Sequence, residues 1–180
     1  MERALHIVVL DRSSVGEDVS VEPLKKYGEV TFHMTTKDEE AAERVKDADI
    51  IIVNKTPMNA DTLDGASHLK LICEFATGFD NVDLDYCRKR GIPVVNVVNY
   101  STAAVAQHTI ACVLYILEKL RYYDDYVKSG AYGSQPRFSH FGLPYSELDG
   151  KTWGIVGMGN IGRKVAAIAE AFNRKSTRLN

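Results

Sequence analysis

The sequence predicts an α/β protein in which a five-stranded parallel-sheet domain is followed by the beginning of a second α/β domain. Over the first hundred residues, apolar runs rich in β-branched side chains alternate with helical or turn segments. Runs such as Ile50 to Val53 are apolar without interruption, which is typical of parallel strands covered on both faces. A further strand, a glycine turn and a helix follow at 151–170. This order predicts a doubly wound sheet and then a new βα unit.

The individual elements can be assigned in chain order. The five predicted strands are Leu5 to Leu10, Glu29 to His33, Asp49 to Val53, Leu69 to Phe75 and Pro93 to Val97. Helices are expected at Lys37 to Asp47 and at Asn59 to Ala66, where Asn59 is the N-cap candidate and Gly65 ends the helix. Ser101 to Lys128 predicts one long helix, bent or straight, that is buried in protein. The Gly-, Ser- and Pro-rich segment 129–149 predicts a linker arm.

Composition restricts the class of protein. The 180 residues are 45% hydrophobic and 26% charged, which is typical of a globular chain of one domain or slightly more. A net charge of -2 gives no electrostatic reason to expect nucleic acid or an anionic membrane as partner. Cys73, Cys87 and Cys112 lack metal-ligand spacing, so we expect reduced thiols and no metal. No secretion signal precedes Leu5, and we therefore expect a cytoplasmic protein.

Three glycines between the predicted strand and helix at 151–170 form a dinucleotide-binding fingerprint, G-x-G-x-x-G. Gly157 allows a tight turn, Gly159 lets the backbone approach a pyrophosphate, and Gly162 lets the helix pack closely on the strand. The helix N-terminus then offers free N–H groups to the phosphates. The fingerprint also requires an acidic ribose ligand about 20 residues further on, beyond Asn180. We therefore expect a truncated cofactor site.

Two segments follow predicted strands at the position where open α/β sheets bind ligands. Thr77 and Gly78 follow the strand Leu69 to Phe75, and Lys55 follows the strand Asp49 to Val53. Lys55 is a candidate tether for an anionic substrate. The residues alone favour a turn glycine at Gly78, and they support a solvated surface lysine at least as well as a tether at Lys55. His108, on a largely apolar helix, is interpreted as a hydrogen-bonded core residue and not as an acid or base.

Four motifs in fixed order extend this interpretation. They are Ala76 to Asp83, Arg90 to Val97, Tyr100 to Thr102 and Val105 to Thr109. Together with the fingerprint they resemble the D-isomer-specific 2-hydroxyacid dehydrogenase family, which includes glycerate, phosphoglycerate, D-lactate, formate and phosphite dehydrogenases. The resemblance covers Leu5 to Phe172 and does not fix the substrate. Val98, where the family usually has proline, and Gln107, where it commonly has glutamate, are departures.

The resemblance implies a domain organisation. Residues 1–100 resemble the flavodoxin-like substrate domain, 101–149 the hinge helix and linker arm, and 150–173 the first βα unit of the Rossmann NAD-binding domain. The tail 174–180, Arg-Lys-Ser-Thr-Arg-Leu-Asn, does not continue the family pattern and resembles a translated sequencing adapter. We therefore expect a truncated gene product with an artefactual end.

The resemblance also implies roles for individual residues. In such enzymes the backbone N–H groups at Thr77 and Gly78 bind the substrate carboxylate, and Tyr100 lines the substrate pocket. With Lys55 from the strand-end argument, these are the candidate substrate-binding residues. The implied cofactor-binding residues are Val105, Gly157, Gly159, Asn160, Ile161 and Gly162. Val105 is expected near the nicotinamide, and Asn160 with Ile161 at the pyrophosphate.

The implied activity is hydride transfer between a nicotinamide cofactor, NAD with NADP left open, and a small 2-oxo or D-2-hydroxy acid. The arginine, glutamate and histidine that perform this chemistry in the family are expected beyond residue 180. We therefore expect the 180-residue chain to be inactive, and the complete parent to be a homodimer. The alternative is an NAD-sensing regulatory protein of the same fold, similar to transcriptional corepressors.

Overall fold

The computed structural model of the chain describes residues 3–172 and 176–179, which fall into two units, Met1–Val98 and Asn99–Asn180. The first unit contains one parallel sheet. Its strands are β1 Leu5–Val9, β2 Gly28–Phe32, β3 Ile50–Val53, β4 Leu71–Glu74 and β5 Val94–Val95. They lie in the order β2-β1-β3-β4-β5, which is the flavodoxin-like strand order. The predicted fold class is confirmed.

Three helices connect the later strands: α1 Asp38–Val45, α2 Ala60–Leu63 and α3 Leu84–Arg90. Between β1 and β2 the chain instead forms two 3-10 turns, Arg12–Ser14 and Glu22–Lys26. The predicted N-cap of α2 is confirmed, because the Asn59 side chain accepts a hydrogen bond from the Thr62 N–H at 3.2 Å. The helix ends two residues earlier than predicted.

The strands are apolar because both faces of the sheet are covered. On one face Val8 and Leu10 pack in a buried cluster with residues of the helices. On the other face Ile7 and Val9 form a second cluster with Ile52, against which several partly buried side chains pack. Burying alternate residues on opposite faces leaves no polar side to β1 or β3. The continuous apolar runs of the sequence follow from this.

The second unit consists of helices and one small parallel sheet. Its elements are α4 Thr102–Leu117, α5 Leu120–Lys128, α6 Ala131–Ser134, β6 Trp153–Val156, α7 Asn160–Phe172 and β7 Ser176–Leu179. Strand β6 pairs in parallel with β7, so β6, α7 and β7 form a βαβ unit. A parallel strand after a crossover helix is the arrangement with which a Rossmann domain begins. Strand β7 lies within the tail 174–180, which was expected not to continue the family pattern, yet it pairs as the second strand of this unit.

The segment predicted as one long helix over Ser101 to Lys128, bent or straight, is helical and bent, but it forms two helices, α4 and α5. Lys119 lies between α4 and α5 with a φ of 54°, in the left-handed region, which interrupts the helical hydrogen bonding. Among the described residues no single helix is both long and apolar enough to span a membrane; α4 and α5 meet that test only together, across a bend of 66°.

Helix α4 is also less buried than predicted within its unit. Its buried residues are Ala106 and Ile110, which form a cluster with Val165 of α7. Apolar side chains on its other face, among them Tyr115 and Ile116, are exposed. The nearly uniform apolar sequence of α4 is therefore only partly explained by packing inside this unit.

The fingerprint glycines differ in what they contribute to packing. A Cβ atom at Gly162 would lie 1.9 Å from the Gly157 carbonyl oxygen, whereas a Cβ at Gly159 would meet no atom within 4 Å. Gly157 itself has a φ of 90°, which strongly favours glycine. Close approach of α7 to the preceding turn therefore depends on Gly162, and the absence of a side chain at Gly159 has no steric cause inside the unit.

This difference leads to a matched pair of variants. We expect Gly162→Ala to lower the free energy of unfolding of the second unit by about 1–3 kcal/mol through overpacking. Gly159→Ser should change it by less than about 0.5 kcal/mol, because serine is accepted at the start of a helix. Trp153, the only tryptophan, lies in β6 beside α4 and reports unfolding by its fluorescence. Equal unfolding midpoints for the two variants would contradict this account of the turn.

Candidate functional site

The carboxyl ends of β1, β3 and β4 meet at one edge of the parallel sheet, where open α/β sheets bind ligands. Asp11 follows β1, the turn 54–56 follows β3, and Glu74 is the last residue of β4. The loop with Thr77 and Gly78 begins directly after Glu74. Two of the sequence-predicted substrate groups, Lys55 and the Thr77-Gly78 pair, therefore lie on connections at the same edge.

Asp11 fixes the turn after β3. Its Oδ2 accepts hydrogen bonds from the backbone N–H groups of Asn54 and Lys55 at 2.9 Å each and of Thr56 at 3.1 Å. Its Oδ1 accepts the Thr56 hydroxyl at 3.0 Å. Burial by itself raises the pKa of the Asp11 carboxyl, but these four donors outweigh burial and hold the pKa below its usual value. Asp11 is therefore an ionised carboxylate that orders the backbone from which the exposed Lys55 side chain extends.

Asn81 links this turn to the loop after β4. Its Nδ2 donates to the Thr56 carbonyl and to Glu74 Oε2, both at 3.2 Å. Its own carbonyl accepts from the Met58 N–H at 2.8 Å. One side chain thus connects the two loops that carry the candidate substrate groups.

Glu74 is the buried acid of this network. It is 1% exposed, and its Oε1 has no hydrogen-bond partner in the described part of the chain. Burial raises the pKa of Glu74 to about 7; the Asp11 charge adds to this, while the Asn81 hydrogen bond and the Lys55 charge oppose it. Neither Glu74 nor Asp11 was among the site residues predicted from the sequence. The sequence signal that could have identified them is an acidic residue at the end of an apolar strand.

The Thr77-Gly78 loop is held by contacts that leave its N–H groups available. The Thr77 hydroxyl donates to the Val97 carbonyl at 2.9 Å, and Asn96 Nδ2 donates to the Thr77 carbonyl at 2.8 Å. The backbone N–H groups of Thr77 and Gly78 donate no hydrogen bond within residues 3–172. A Cβ at Gly78 would meet only Asp80 Oδ2, at 3.8 Å. The loop is therefore ordered, exposed and open to an acceptor.

The fingerprint residues are in the second unit, where Gly157 and Gly159 precede α7 and Gly162 lies in its first turn. The Gly159 carbonyl accepts the Arg163 N–H at 3.0 Å, so the first-turn N–H groups of Asn160, Ile161 and Gly162 lie outside the intrahelical hydrogen bonding. The Asn160 amide donates to Asn99 Oδ1 and accepts from Arg163 Nη2. These contacts fix the helix terminus, whose positive end favours an anion.

The remaining predicted site residues also belong to the second unit. Tyr100 is 63% exposed and Val105 is 40% exposed. Each unit therefore holds its own set: Lys55, Thr77 and Gly78 in the first, and Tyr100, Val105 and the fingerprint in the second. His108 was predicted as a core residue, but it is exposed and contacts Cys112 Sγ at 3.5 Å. That prediction failed because the side of α4 that carries His108 does not face α7.

A metal site has no support in the described residues, where no group of three or more His, Cys, Asp or Glu side chains could hold an ion. Cys73 and Cys87 are unpaired thiols, and burial raises the pKa of each. Thiols with a raised pKa are poor metal ligands and poor nucleophiles.

The elevated pKa of Glu74 predicts a specific pH dependence of stability. Because the folded-state pKa lies above the usual value, protonated Glu74 stabilises the fold below about pH 4.5, and this contribution is lost as the pH rises through about 7. We expect the free energy of unfolding of the wild type to fall relative to Glu74→Gln over that range, by up to about 3 kcal/mol. Urea unfolding at a series of pH values measures this difference. A difference that does not change with pH would show that folding does not raise the pKa of Glu74.

Residues 7–178 match the family model described as the catalytic domain of D-isomer specific 2-hydroxyacid dehydrogenase. The chain is 35% identical over 175 residues to hydroxypyruvate reductase of Blautia hydrogenotrophica, covering 95% of this chain and 54% of the relative. It is 36% identical over 172 residues to glycerate dehydrogenase of Methylorubrum extorquens, covering 94% and 54%. The chain thus spans about half the length of these relatives.

Solved structures show the same similarity. The D-lactate dehydrogenase of Aquifex aeolicus, complexed with NAD and lactic acid, superimposes with a TM-score of 0.80 at 31% identity, over 97% of this chain and 51% of that one. An acyclic imino acid reductase, Bsp5, in complex with NADPH, gives a TM-score of 0.79 at 28% identity, over 98% and 56%. These neighbours hold NAD or NADPH, and the named relatives are oxidoreductases. The chain belongs to the D-isomer-specific 2-hydroxyacid dehydrogenase family.

Proposed function

We propose that this chain is part of a cytoplasmic NAD(P)-dependent dehydrogenase that transfers hydride between nicotinamide and a small 2-oxo or D-2-hydroxy acid. The observation that carries the proposal is that one chain holds both kinds of site: an ordered loop site at the carboxyl edge of the sheet in the first unit, and a glycine turn that fits a dinucleotide in the second. The names of the relatives support the substrate class, without selecting one acid.

The proposed substrate-binding residues are Lys55, Thr77, Gly78 and Tyr100. The free N–H groups of Thr77 and Gly78 suit a carboxylate, because backbone N–H groups bind anionic oxygens with charge-assisted hydrogen bonds. Lys55 adds a positive charge on the neighbouring loop, and the Asp11 contacts fix the backbone at its base. Such an arrangement orients an acid anion without itself moving a proton.

The proposed cofactor-binding residues are Val105, Gly157, Gly159, Asn160, Ile161 and Gly162. The open space at Gly159 and the first-turn N–H groups of α7 fit a pyrophosphate. When bound, the nicotinamide would supply or accept the hydride. The protein residues present here would only bind and orient the cofactor. We propose NAD as the cofactor, as in one structural neighbour, and NADP as the alternative, because another neighbour binds NADPH.

We further propose that the complete parent is a homodimer. The arm after α6 presents Phe138 and Phe141, each 92% exposed, and α4 presents Tyr115 and Ile116. Exposed aromatic and aliphatic side chains at this density are typical of a protein interface. The alternative, an NAD-sensing regulatory protein, would use the same cofactor-binding turn but would not turn over a 2-oxo acid.

The 180-residue chain should be inactive, because the family's arginine, glutamate and histidine have no assigned counterpart in it. General acid–base groups typically contribute about 10²–10⁴ in rate, and loss of the carboxylate clamp adds to this. Purified chain should not oxidise NADH with glyoxylate, hydroxypyruvate or pyruvate above a blank. Turnover of any of the three would refute the assignment of the missing groups to a longer parent.

In the complete parent, the two sites should respond to different variants. Gly159→Val should weaken NADH binding more than tenfold, because a branched side chain occupies the space the pyrophosphate needs. Thr77→Pro should impair turnover and leave NADH affinity nearly unchanged, since it deforms only the loop proposed for the carboxylate. NADH fluorescence titration and steady-state kinetics of both variants test this. Equal loss of NADH affinity would overturn the separate roles.

A further inference from the structure

A buried acid lies beneath the proposed anion site. Glu74 ends β4 three residues before Thr77, is 1% exposed, and has one carboxyl oxygen without a partner in the described part of the chain. An ionised carboxylate in this position would carry its charge in a buried site where the described part of the chain supplies one hydrogen-bond donor, Asn81. The geometry therefore favours the protonated, neutral acid.

Three groups act on Glu74, each from a different segment. Asn81, in the loop after β4, donates to Oε2 at 3.2 Å. Asp11, at the end of β1, opposes a second negative charge, while Lys55, after β3, favours one. Asp11 is itself satisfied by four hydrogen bonds and stays ionised. Loss of the Glu74 proton would thus place a second negative charge in the same network.

That second charge would act on the groups proposed to bind the substrate. Lys55 interacts electrostatically with Glu74, so an ionised Glu74 would compete with an external anion for the Lys55 ammonium. Asn81 connects Glu74 to the turn that carries Lys55, through Thr56. Glu74 therefore influences the anion site indirectly, through Lys55 and Asn81, and does not have to contact the ligand.

We propose that Glu74 makes anion binding at the carboxyl edge proton-linked: a 2-oxo acid anion binds beside Lys55 and the Thr77-Gly78 loop while Glu74 is protonated, and binding weakens when Glu74 ionises. Glu74 is a positioning residue, because it acts through Asn81 and Lys55. This inference rests on the proposed function, since it takes the same edge as the substrate site. The transition is expected near pH 7, where the Glu74 carboxyl titrates.

The test uses the 180-residue chain and oxamate, an uncharged-amide analogue of a 2-oxo acid that keeps the carboxylate. Oxamate affinity is measured by NMR titration from pH 5.5 to 8.5 at constant ionic strength. In the wild type we expect the Kd to rise about fivefold across this range. Glu74→Gln, which keeps the shape and removes the charge, should retain the low-pH Kd throughout.

Glu29→Gln is the matched control. Glu29 is also a strand glutamate, but it is exposed, on the edge strand β2. This variant should keep the wild-type pH profile, including any contribution from histidine titration. A Glu74→Gln profile equal to that of the wild type would overturn the inference.

A second measurement needs no variant. By linkage, if ionisation of Glu74 weakens oxamate binding, saturating oxamate must raise the pKa of Glu74. The ¹³C shift of the Glu74 carboxyl, followed against pH with and without oxamate, reports this directly. If oxamate binds but the pKa of Glu74 stays near 7, the proton linkage is overturned and the proposed anion site remains intact. Absence of oxamate binding at pH 5.5, where Glu74 is neutral, overturns the anion site and the linkage together.

Discussion

The contacts of Asp11 are the constraint on which the candidate site in the first unit depends. Parallel pairing brings the ends of three strands together, but it does not by itself order the loops that leave them. A single buried carboxylate does so after β3, because it accepts three consecutive backbone N–H groups and one hydroxyl. Backbone N–H groups that would otherwise be left without partners are satisfied, and the turn has one conformation.

The same edge of the sheet carries a second buried acid, Glu74, whose pKa is raised where that of Asp11 is lowered. Asp11 has four donors and is ionised, whereas Glu74 has one donor and burial raises its pKa to about 7. Two carboxyl groups in one network, with environments that separate their pKa values, are an arrangement typical of functional sites. Here the separation comes from the number of donors around each group. The backbone turn after β3 supplies the donors to Asp11, and Asn81 supplies the single donor to Glu74.

In the second unit the corresponding constraint is steric. The carbonyl of Gly157 lies where a side chain at position 162 would have to be, so α7 can approach the turn only with glycine there. At position 159 glycine is not required by packing inside the unit, and the free space there agrees with the proposed approach of a pyrophosphate. The same comparison separates the glycine that builds the fold from the one proposed to serve the cofactor.

Much of this could be predicted from the sequence. The alternation of apolar runs and helices determined a parallel α/β sheet, and Asn59 marked the start of α2, because local patterns and capping residues act over a few positions. The positions of Lys55, Thr77 and the three fingerprint glycines relative to strand ends were also local information. What the sequence could not supply was the left-handed Lys119 that divides α4 from α5, or the exposure of His108. Nor could it reveal the network of Asp11, Asn81 and Glu74, because Asp11 lies far from the other two along the chain. Only the tertiary structure brings them together, and burial, which decides whether each acid is charged, exists only once the sheet has formed.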